Sequence, residues 1–376
     1  MASIKKYATA KGTAWRVQYR SPDGRSRTKQ GFRTKAEAQR WADKNATTIT
    51  EGAWTDPSMG KIRIEELWEM WKPSQHHLAE SSMRTLVSSW DTHVKPRWGS
   101  IAISAVQTRD VQAWVDSMHA DKKSGSVIHR AENLLSALAD VAVRDQMIPR
   151  NPCDSVRLPS RKRREMNALT ADQVKALIRQ TSRYKSLVVF LAFTGARWGE
   201  AVALRVEDID LVRRRATISR AASTVGGKVI IGETKTRKIR SIALPGVVVE
   251  ALREEMRGKL PKALVWTNRR GQIVTTPSRR SWWHSAVDVC HEADDSFPAG
   301  LRIHDLRHTA ASLLIGAGAS VLVVQRQLGH ASAKMTLDRY SHLFDGDLDE
   351  VVGAISDVVG LSWDSVNDGG LSSSAG

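Results

Sequence analysis

The sequence predicts a multidomain α+β protein: a small N-terminal β-sheet with one helix, a helical middle domain, and a mainly helical larger domain that holds a small antiparallel sheet. Three observations lead there. Period-two alternation near the N-terminus gives way after residue 60 to helical periodicity, and beyond residue 165 short β-branched runs interrupt the helices. At 376 residues the chain is long enough for two or three domains, each with its own core. The expected divisions are 1–55, 60–155, 165–350 and a tail of 351–376.

In the first segment Trp15, Val17 and Tyr19 alternate with Arg16, Gln18 and Arg20, the pattern of a half-buried strand. Ser21-Pro22-Asp23-Gly24 turns the chain into a second strand, on which Arg25, Arg27 and Lys29 alternate with Ser26, Thr28 and Gln30. Thr34 and Glu37 have capping-box spacing ahead of a helix through KAEAQRWADKNA. The basic alternation has two readings, a solvated strand face or a sheet that lies in a DNA groove. The charge of the whole chain favours the second. Lys and Arg exceed Asp and Glu by 17, and the sequence pI is about 10.1, a field that attracts polyanions.

A turn-rich stretch, GAWTDPSMG, precedes the helical segment. Ile64, Leu67, Trp68 and Trp71 share one helical face, and RDVQAWVDSM and HRAENLLSALADVAVRDQ continue the pattern. From Pro149 to Glu165 the chain is Pro-bearing and basic. Arg161, Lys162, Arg163 and Arg164 make it either a linker along a phosphate backbone or a solvated tether. Thr170 suits the N-cap of the next helix, YKSLVVFLAF reads as a buried helix, and ATISRA, KVIIGET and RSIALP read as three short strands. Helices then run to about Gly360. The last of them carries a stripe of Leu348, Val351, Val352, Ile355, Val358 and Val359, which either packs on its own domain or docks on a neighbouring subunit. SVNDGGLSSSAG has the composition of a disordered tail.

No apolar run approaches the ~20 residues needed to span a membrane, and MASIKKYATAKG lacks the apolar region of a signal peptide. Two cysteines, Cys153 and Cys290, offer no disulfide framework and suit a reducing cytoplasm.

Three stretches of the larger domain hold chemistry-bearing residues. TGARWGE places Arg197 at a glycine-bracketed turn after a buried helix. HDLRHTAAS puts His304 and Arg307 one helical turn apart. LGHASAKMTLDRYSHLF sets His330 ten residues ahead of Tyr340, one of only four tyrosines. Each has a bland alternative: Arg197 as a helix cap, His304 as a satisfied buried histidine, Tyr340 as a core aromatic. His304 and His308 also have the i, i+4 spacing of a zinc helix, with Asp305 where metalloproteases carry Glu. No third ligand is apparent, and Arg307 between them would repel a cation, so neither metal nor other cofactor is expected.

Together and in this order, R-x-G-E, H-x-L-R-H-T, L-G-H and the following tyrosine resemble the tyrosine recombinases, the family of phage integrases, over residues of about 62 to 350. TKTRKIRSIAL resembles the family's hairpin, whose lysine falls at Lys235, with Lys228 and Lys238 as rivals; residues 62 to 150 resemble its helical core-binding domain. The resemblance implies a metal-independent strand transferase. Arg197 and Arg307 clamp the phosphate, His304 and His330 hydrogen-bond it, Lys235 protonates the leaving 5′ oxygen, and Tyr340 forms a 3′-phosphotyrosyl bond. It also implies arm-type and core-type DNA sites, a homotetramer on synapsed DNA in a bacterial cytoplasm, and a host bending protein and an excisionase as further partners. Type IB topoisomerases share the chemistry, and a DNA-binding regulator with a dead site is a rival of another class; the basic N-terminal sheet and the complete catalytic set weigh against them.

Overall fold

The computed structural model describes residues 2–10, 12–52, 54–56, 59–161, 166–233 and 239–344. Lys235, Lys162, Arg163, Arg164 and the C-terminal stripe and tail lie outside the described residues. The chain divides into two compact units, Met1–Arg163 and Arg164–Gly376.

The first unit opens with an antiparallel sheet of β1 (Ser3–Thr9), β2 (Gly12–Arg20) and β3 (Ser26–Phe32) in that order, followed by α1 (Lys35–Thr50). β1 was not anticipated, because SIKKYAT has too few apolar residues to show alternation. Val17, Phe32, Ala38 and Ala42 form a small core between sheet and helix, flanked by Ile4, Trp15 and Trp41. The Trp41 ring meets Tyr19 edge-on at 5.3 Å and Phe32 at 5.8 Å. Thr34 caps α1 by accepting from the Glu37 amide, but Glu37 accepts from the Arg33 amide, one residue earlier than a capping box requires.

The same unit continues with α2 (Ile64–Trp71), α3 (Glu80–Ser89), a π-helical turn at Trp90–Val94, α4 (Lys95–Trp98), α5 (Thr108–Ala120) and α6 (Gly125–Arg144). The predicted face of α2 is the one that packs: Ile64, Leu67 and Trp68 are buried and Trp71 half-buried. Trp68 stacks on Trp90 with ring centres 4.7 Å apart, and Ile128, Leu134, Leu135 and Leu138 of α6 complete the core. Truncating Leu138 to alanine there would cost about 2–5 kcal/mol. Past α6 the chain is tied down rather than loose. The Asn151 amide donates to Ser136 and Asp140, Gln112 holds Arg157 through both of its backbone groups, and His129 meets the Pro159 carbonyl at 2.8 Å. The tether reading therefore does not apply to residues 151–159; Arg161 beyond them is exposed.

The second unit begins with α7 (Ala171–Gln180), where Thr170 and Gln173 form a complete capping box, then α8 (Lys185–Thr194) and α9 (Trp198–Val202). β4 (Ile209–Asp210), β5 (Arg215–Ile218), β6 (Arg220–Val225), β7 (Lys228–Glu233) and β8 (Arg240–Ala243) follow. The run read as one strand, ATISRA, is broken at Ser219. Its first half pairs with β4 and β8, whereas its second half forms a separate hairpin with β7. Then come α10 (Gly246–Glu255), α11 (Trp282–Ala293), α12 (Asp305–Gly316), α13 (Val321–Leu328) and α14 (Ala333–Tyr340). α8 is apolar on all sides because it is surrounded: Leu187, Val188, Phe190 and Leu191 are all buried, and α10 and α12 pack against it. No described helix is long and apolar enough to cross a membrane.

Candidate active site

α8 delivers the first arginine. It ends at Gly195, whose φ of +68° is left-handed; a Cβ there would lie 2.3 Å from a Leu328 methyl and 3.2 Å from Ala310 Cβ. Two residues on, Arg197 starts α9. Its amide donates to Glu200 Oε2 at 2.9 Å, its guanidinium to Glu200 Oε1 at 2.8 Å and more weakly to the Gly329 carbonyl at 3.4 Å.

α12 delivers the second arginine. Asp305 accepts from the Arg302 amide and guanidinium, fixing the turn before the helix, and α12 runs against α8. Arg307 is buried and donates to the Gly195 carbonyl at 2.7 Å, so the carbonyl that ends α8 orients the guanidinium. Burial first, then the Arg197 charge, push the Arg307 pKa down to about 9, which leaves it cationic at neutral pH.

α13 and α14 close the site. α13 stops at Gly329 with φ of +68°, where a Cβ would come within 2.5 Å of Arg240 Nε. Gln327 ties α13 to its neighbours by accepting from the Ala243 amide at 2.9 Å and donating to the carbonyls of Ala243 and Thr194. His330 then turns inward, its Nδ1 2.8 Å from Thr336 Oγ1. Tyr340, at the end of α14, is 1 % exposed; its ring lies parallel to that of His330 with centres 6.4 Å apart. Its hydroxyl meets His308 Nδ1 at 2.8 Å. His304, at the start of α12, is exposed, and its ring edge meets His308 with centres 5.7 Å apart.

The electrostatics follow from packing cations around buried rings. Burial, then Arg307 and Arg197, lower the His330 pKa to about 4; burial, then His304 and Arg339, bring His308 to about 4. His304 is crowded on its inner side, and that crowding first, then Arg307, holds it below the ordinary imidazole value. All three rings are neutral at pH 7. Burial raises the Tyr340 phenol, against the opposing pull of Arg307 and Arg339. Burial alone would raise Glu200, but the bidentate hold of Arg240 and then the contacts from Arg197 outweigh it and bring the carboxyl to about 2.

The structure thus brings Arg197, His304, Arg307, His330 and Tyr340 into one site from three separate stretches of chain. Three members were not singled out by sequence reasoning. Glu200 stands in the R-x-G-E motif, but its role as the anion between Arg197 and Arg240 needs the tertiary fold. Arg240 was one basic residue among several in TKTRKIRSIAL; the signal available was its position beside the β-branched run of β8. In the sequence His308 stands out only as half of a zinc-spaced pair with His304. Its Nδ1 faces the Tyr340 hydroxyl instead, and among the described residues no three His, Cys, Asp or Glu gather as a metal would need.

For the DNA-facing residues expected in the first unit, strand register decides. Tyr19 lies opposite Arg27 and Val17 opposite Lys29, so those two basic residues share the face that α1 covers, and Arg25 sits in the turn. Lys29 stays exposed at that face's edge, but Arg27 makes paired hydrogen bonds with the Asp56 carboxylate and lies 5.3 Å from the Trp54 ring. Arg27 is therefore a structural anchor, and the open face carries Lys5, Arg16, Gln18, Arg20 and Thr28. In the helical part, a cavity of about 320 Å³ between α3 and α6 is lined by Arg84, Thr85, Ser88, His93 and Arg130.

Two close arginines, neutral imidazoles and a buried tyrosine gathered in one site are the groups that a phosphoryl-transfer site of the tyrosine recombinase class uses. Residues 167–346 match the model of the Phage integrase family, and the chain carries a catalytic domain of that family. It is a tyrosine site-specific recombinase. The chain is 27 % identical over 349 residues to the integrase of Mycobacterium phage D29, covering 89 % of this chain and 90 % of that protein. Its fold is similar to that of the Tn1549 transposon integrase in complex with circular intermediate DNA, at a TM-score of 0.68 and 19 % identity over 78 % of this chain and all of that one. It is also similar to a lambda integrase tetramer bound to a Holliday junction, at a TM-score of 0.55 and 14 % identity, covering 88 % and 94 % of the two chains.

Proposed function

We propose that this recombinase is a phage or prophage integrase that cleaves and rejoins DNA through Tyr340, with Arg197 and Arg307 as the phosphate clamp. The observation that carries this reading is the convergence of the two guanidiniums with the nucleophile's ring: Arg197 reaches the Gly329 carbonyl beside His330, and Arg307 lies near enough to Tyr340 to act on its ionisation. A phosphodiester under attack gains negative charge on its non-bridging oxygens. Two cations held in a largely desolvated site stabilise that charge more than they stabilise the ground state. His304 and His330, both neutral, donate hydrogen bonds to those oxygens. Tyr340 Oη attacks phosphorus, the 5′ oxygen leaves, and Lys235 supplies its proton. The 3′-phosphotyrosyl bond keeps the energy needed for rejoining.

The DNA-binding assignment rests on charge and shape. Arg84 and Arg130 flank the cavity between α3 and α6, suited to phosphate contacts at a core-type site. The open sheet face with Lys5, Arg16 and Arg20 suits a second, arm-type site, and the basic run Arg161, Lys162, Arg163 and Arg164 is a further candidate for phosphate contacts by its charge. Four copies on paired sites, with a bending protein and an excisionase to set direction, in the cytoplasm of a bacterial host, complete the reading. The test is a nicked duplex carrying the core-type site, which traps the covalent intermediate. A denaturant-resistant adduct mapping to Tyr340, abolished in Tyr340→Phe with DNA binding retained, is the expected result. An adduct that persists in Tyr340→Phe, or maps to Tyr184, overturns the assignment.

A further inference from the structure

We infer that His308, rather than His304 or His330, takes the Tyr340 proton during cleavage. The inference rests on Tyr340 being the nucleophile and concerns only where its proton goes.

The geometry points one way. His308 Nδ1 lies 2.8 Å from Tyr340 Oη, and among the described residues this is the hydroxyl's only hydrogen bond. Tyr340 is 1 % exposed, so a hydroxyl proton without an acceptor would carry the full desolvation penalty, on the order of 1–3 kcal/mol. The tautomer that avoids this has Nδ1 bare and accepting, with the ring proton on Nε2. The other two histidines are engaged elsewhere. His330 Nδ1 faces Thr336 Oγ1 at 2.8 Å, and His304 presents its ring edge to His308.

The position of His308 is set by the fold and not by chance rotation. It lies one residue past Arg307 on α12, between Leu306 and Thr309, both fully buried, and Thr309 Oγ1 bonds the Asp305 carbonyl and the Leu169 amide. The groups facing the ring are His304 ahead of α12, Asp305 and Arg307 on α12, His330 before α14, and Arg339 and Tyr340 on α14. Burial first, and then the cations that outnumber the single carboxylate, keep the imidazole neutral and ready to accept at pH 7. A bound phosphate brings negative charge that favours the imidazolium once formed.

In the step itself, the Oη–H bond breaks as Oη–P forms, and the proton passes to His308 Nδ1. The P–O5′ bond breaks with its electron pair on O5′, which takes a proton from the general acid assigned to Lys235. Rejoining reverses each transfer, and His308 returns the proton to Tyr340.

The test measures single-turnover adduct formation on a nicked core-site duplex recovered by binding selection from random-sequence DNA. His308→Asn keeps an amide near the hydroxyl but cannot accept a proton. It should slow adduct formation by about 10²- to 10³-fold with DNA affinity and melting temperature little changed. Putting 3,5-difluorotyrosine at position 340 makes the phenol more acidic, and should recover at least about tenfold of that loss while changing the wild type little. Merely structural damage would not respond to nucleophile acidity. The comparison is repeated with His308→Gln, so the result does not depend on one variant folding. Near-wild-type rates in both variants overturn the inference, as does a deficit identical with either phenol. If the unaltered chain forms its adduct away from Tyr340, the underlying nucleophile assignment fails, and no His308 variant is needed to see it.

Discussion

Arg240 grips both carboxylate oxygens of Glu200, at 3.0 and 2.6 Å, while Arg197 reaches the same carboxylate at 2.8 Å. Glu200 is buried and Arg240 nearly so; the carboxylate is the counter-charge shared by the two guanidiniums. Removing one member of such a buried pair leaves an uncompensated charge, at about 3–5 kcal/mol. Arg240→Ala and Glu200→Gln are therefore both expected to lower stability by that order in denaturant unfolding, and to slow adduct formation. Arg240→Met combined with Glu200→Gln should regain part of the stability but none of the rate, because Arg197 has lost its anchor. A double variant that cleaves at the wild-type rate would show that the pair matters only for folding.

Much of this site is legible in the sequence because its motifs are short and local. Arg197 follows a helix that a glycine must end, and His304 and Arg307 sit one turn apart on α12. What the sequence withholds is pairing across distance. Glu200 and Arg240 are 40 positions apart, and His308 meets Tyr340 across 32. The same limit misplaced Arg27: alternation shows that residues share a face but not which face the helix covers, and only the register with Tyr19 and Val17 decides that. β1 escaped notice because a polar edge strand has no hydrophobic signature.

In the proposed reaction, positive charge supplied by Arg197 and Arg307 takes the place that metal ions hold in other phosphoryl-transfer sites. Adduct formation should accordingly proceed at an unchanged rate in excess EDTA. Activity lost on chelation and restored by zinc would revive the His304 and His308 pair as ligands.

Acid should destabilise the chain in two stages. Unfolded histidines bind protons below about pH 6.5, whereas His308 and His330 stay neutral down to about 4. The unfolded state thus holds more protons across that window, and stability falls as pH drops through it, by up to about 1.4 kcal/mol per unit for each ring. Glu200, ionised in the fold down to about 2, adds a further loss between 4.5 and 2. Denaturant midpoints taken from pH 7 to 4 should decline steadily, and His330→Gln should flatten the upper part of that decline. A wild-type profile level from 6.5 to 4 would mean that these rings are not held neutral.

The N-terminal sheet offers the sharpest contrast between neighbouring basic residues. Arg27 is anchored on Asp56 and Trp54, and the Asp56 amide in turn donates to the Gln146 carbonyl at 3.0 Å, so Arg27 links the sheet to the helical part of its unit. Lys5 and Arg20 are exposed and Arg16 half-buried on the opposite face, away from α1. If that face grips an arm-type site, each of the three neutralises phosphate charge and releases counterions. Alanine at Lys5, Arg16 or Arg20 should then weaken binding to that site and reduce the slope of log affinity against log salt by about 1 per residue, with core-site cleavage unaffected. Arg27→Ala should behave differently, lowering the melting temperature and leaving the salt slope close to wild type, because what is lost is an internal ion pair. Equal salt slopes for all four variants would place the DNA elsewhere. A steep slope change confined to Arg27→Ala would move the contact surface to the face that α1 covers.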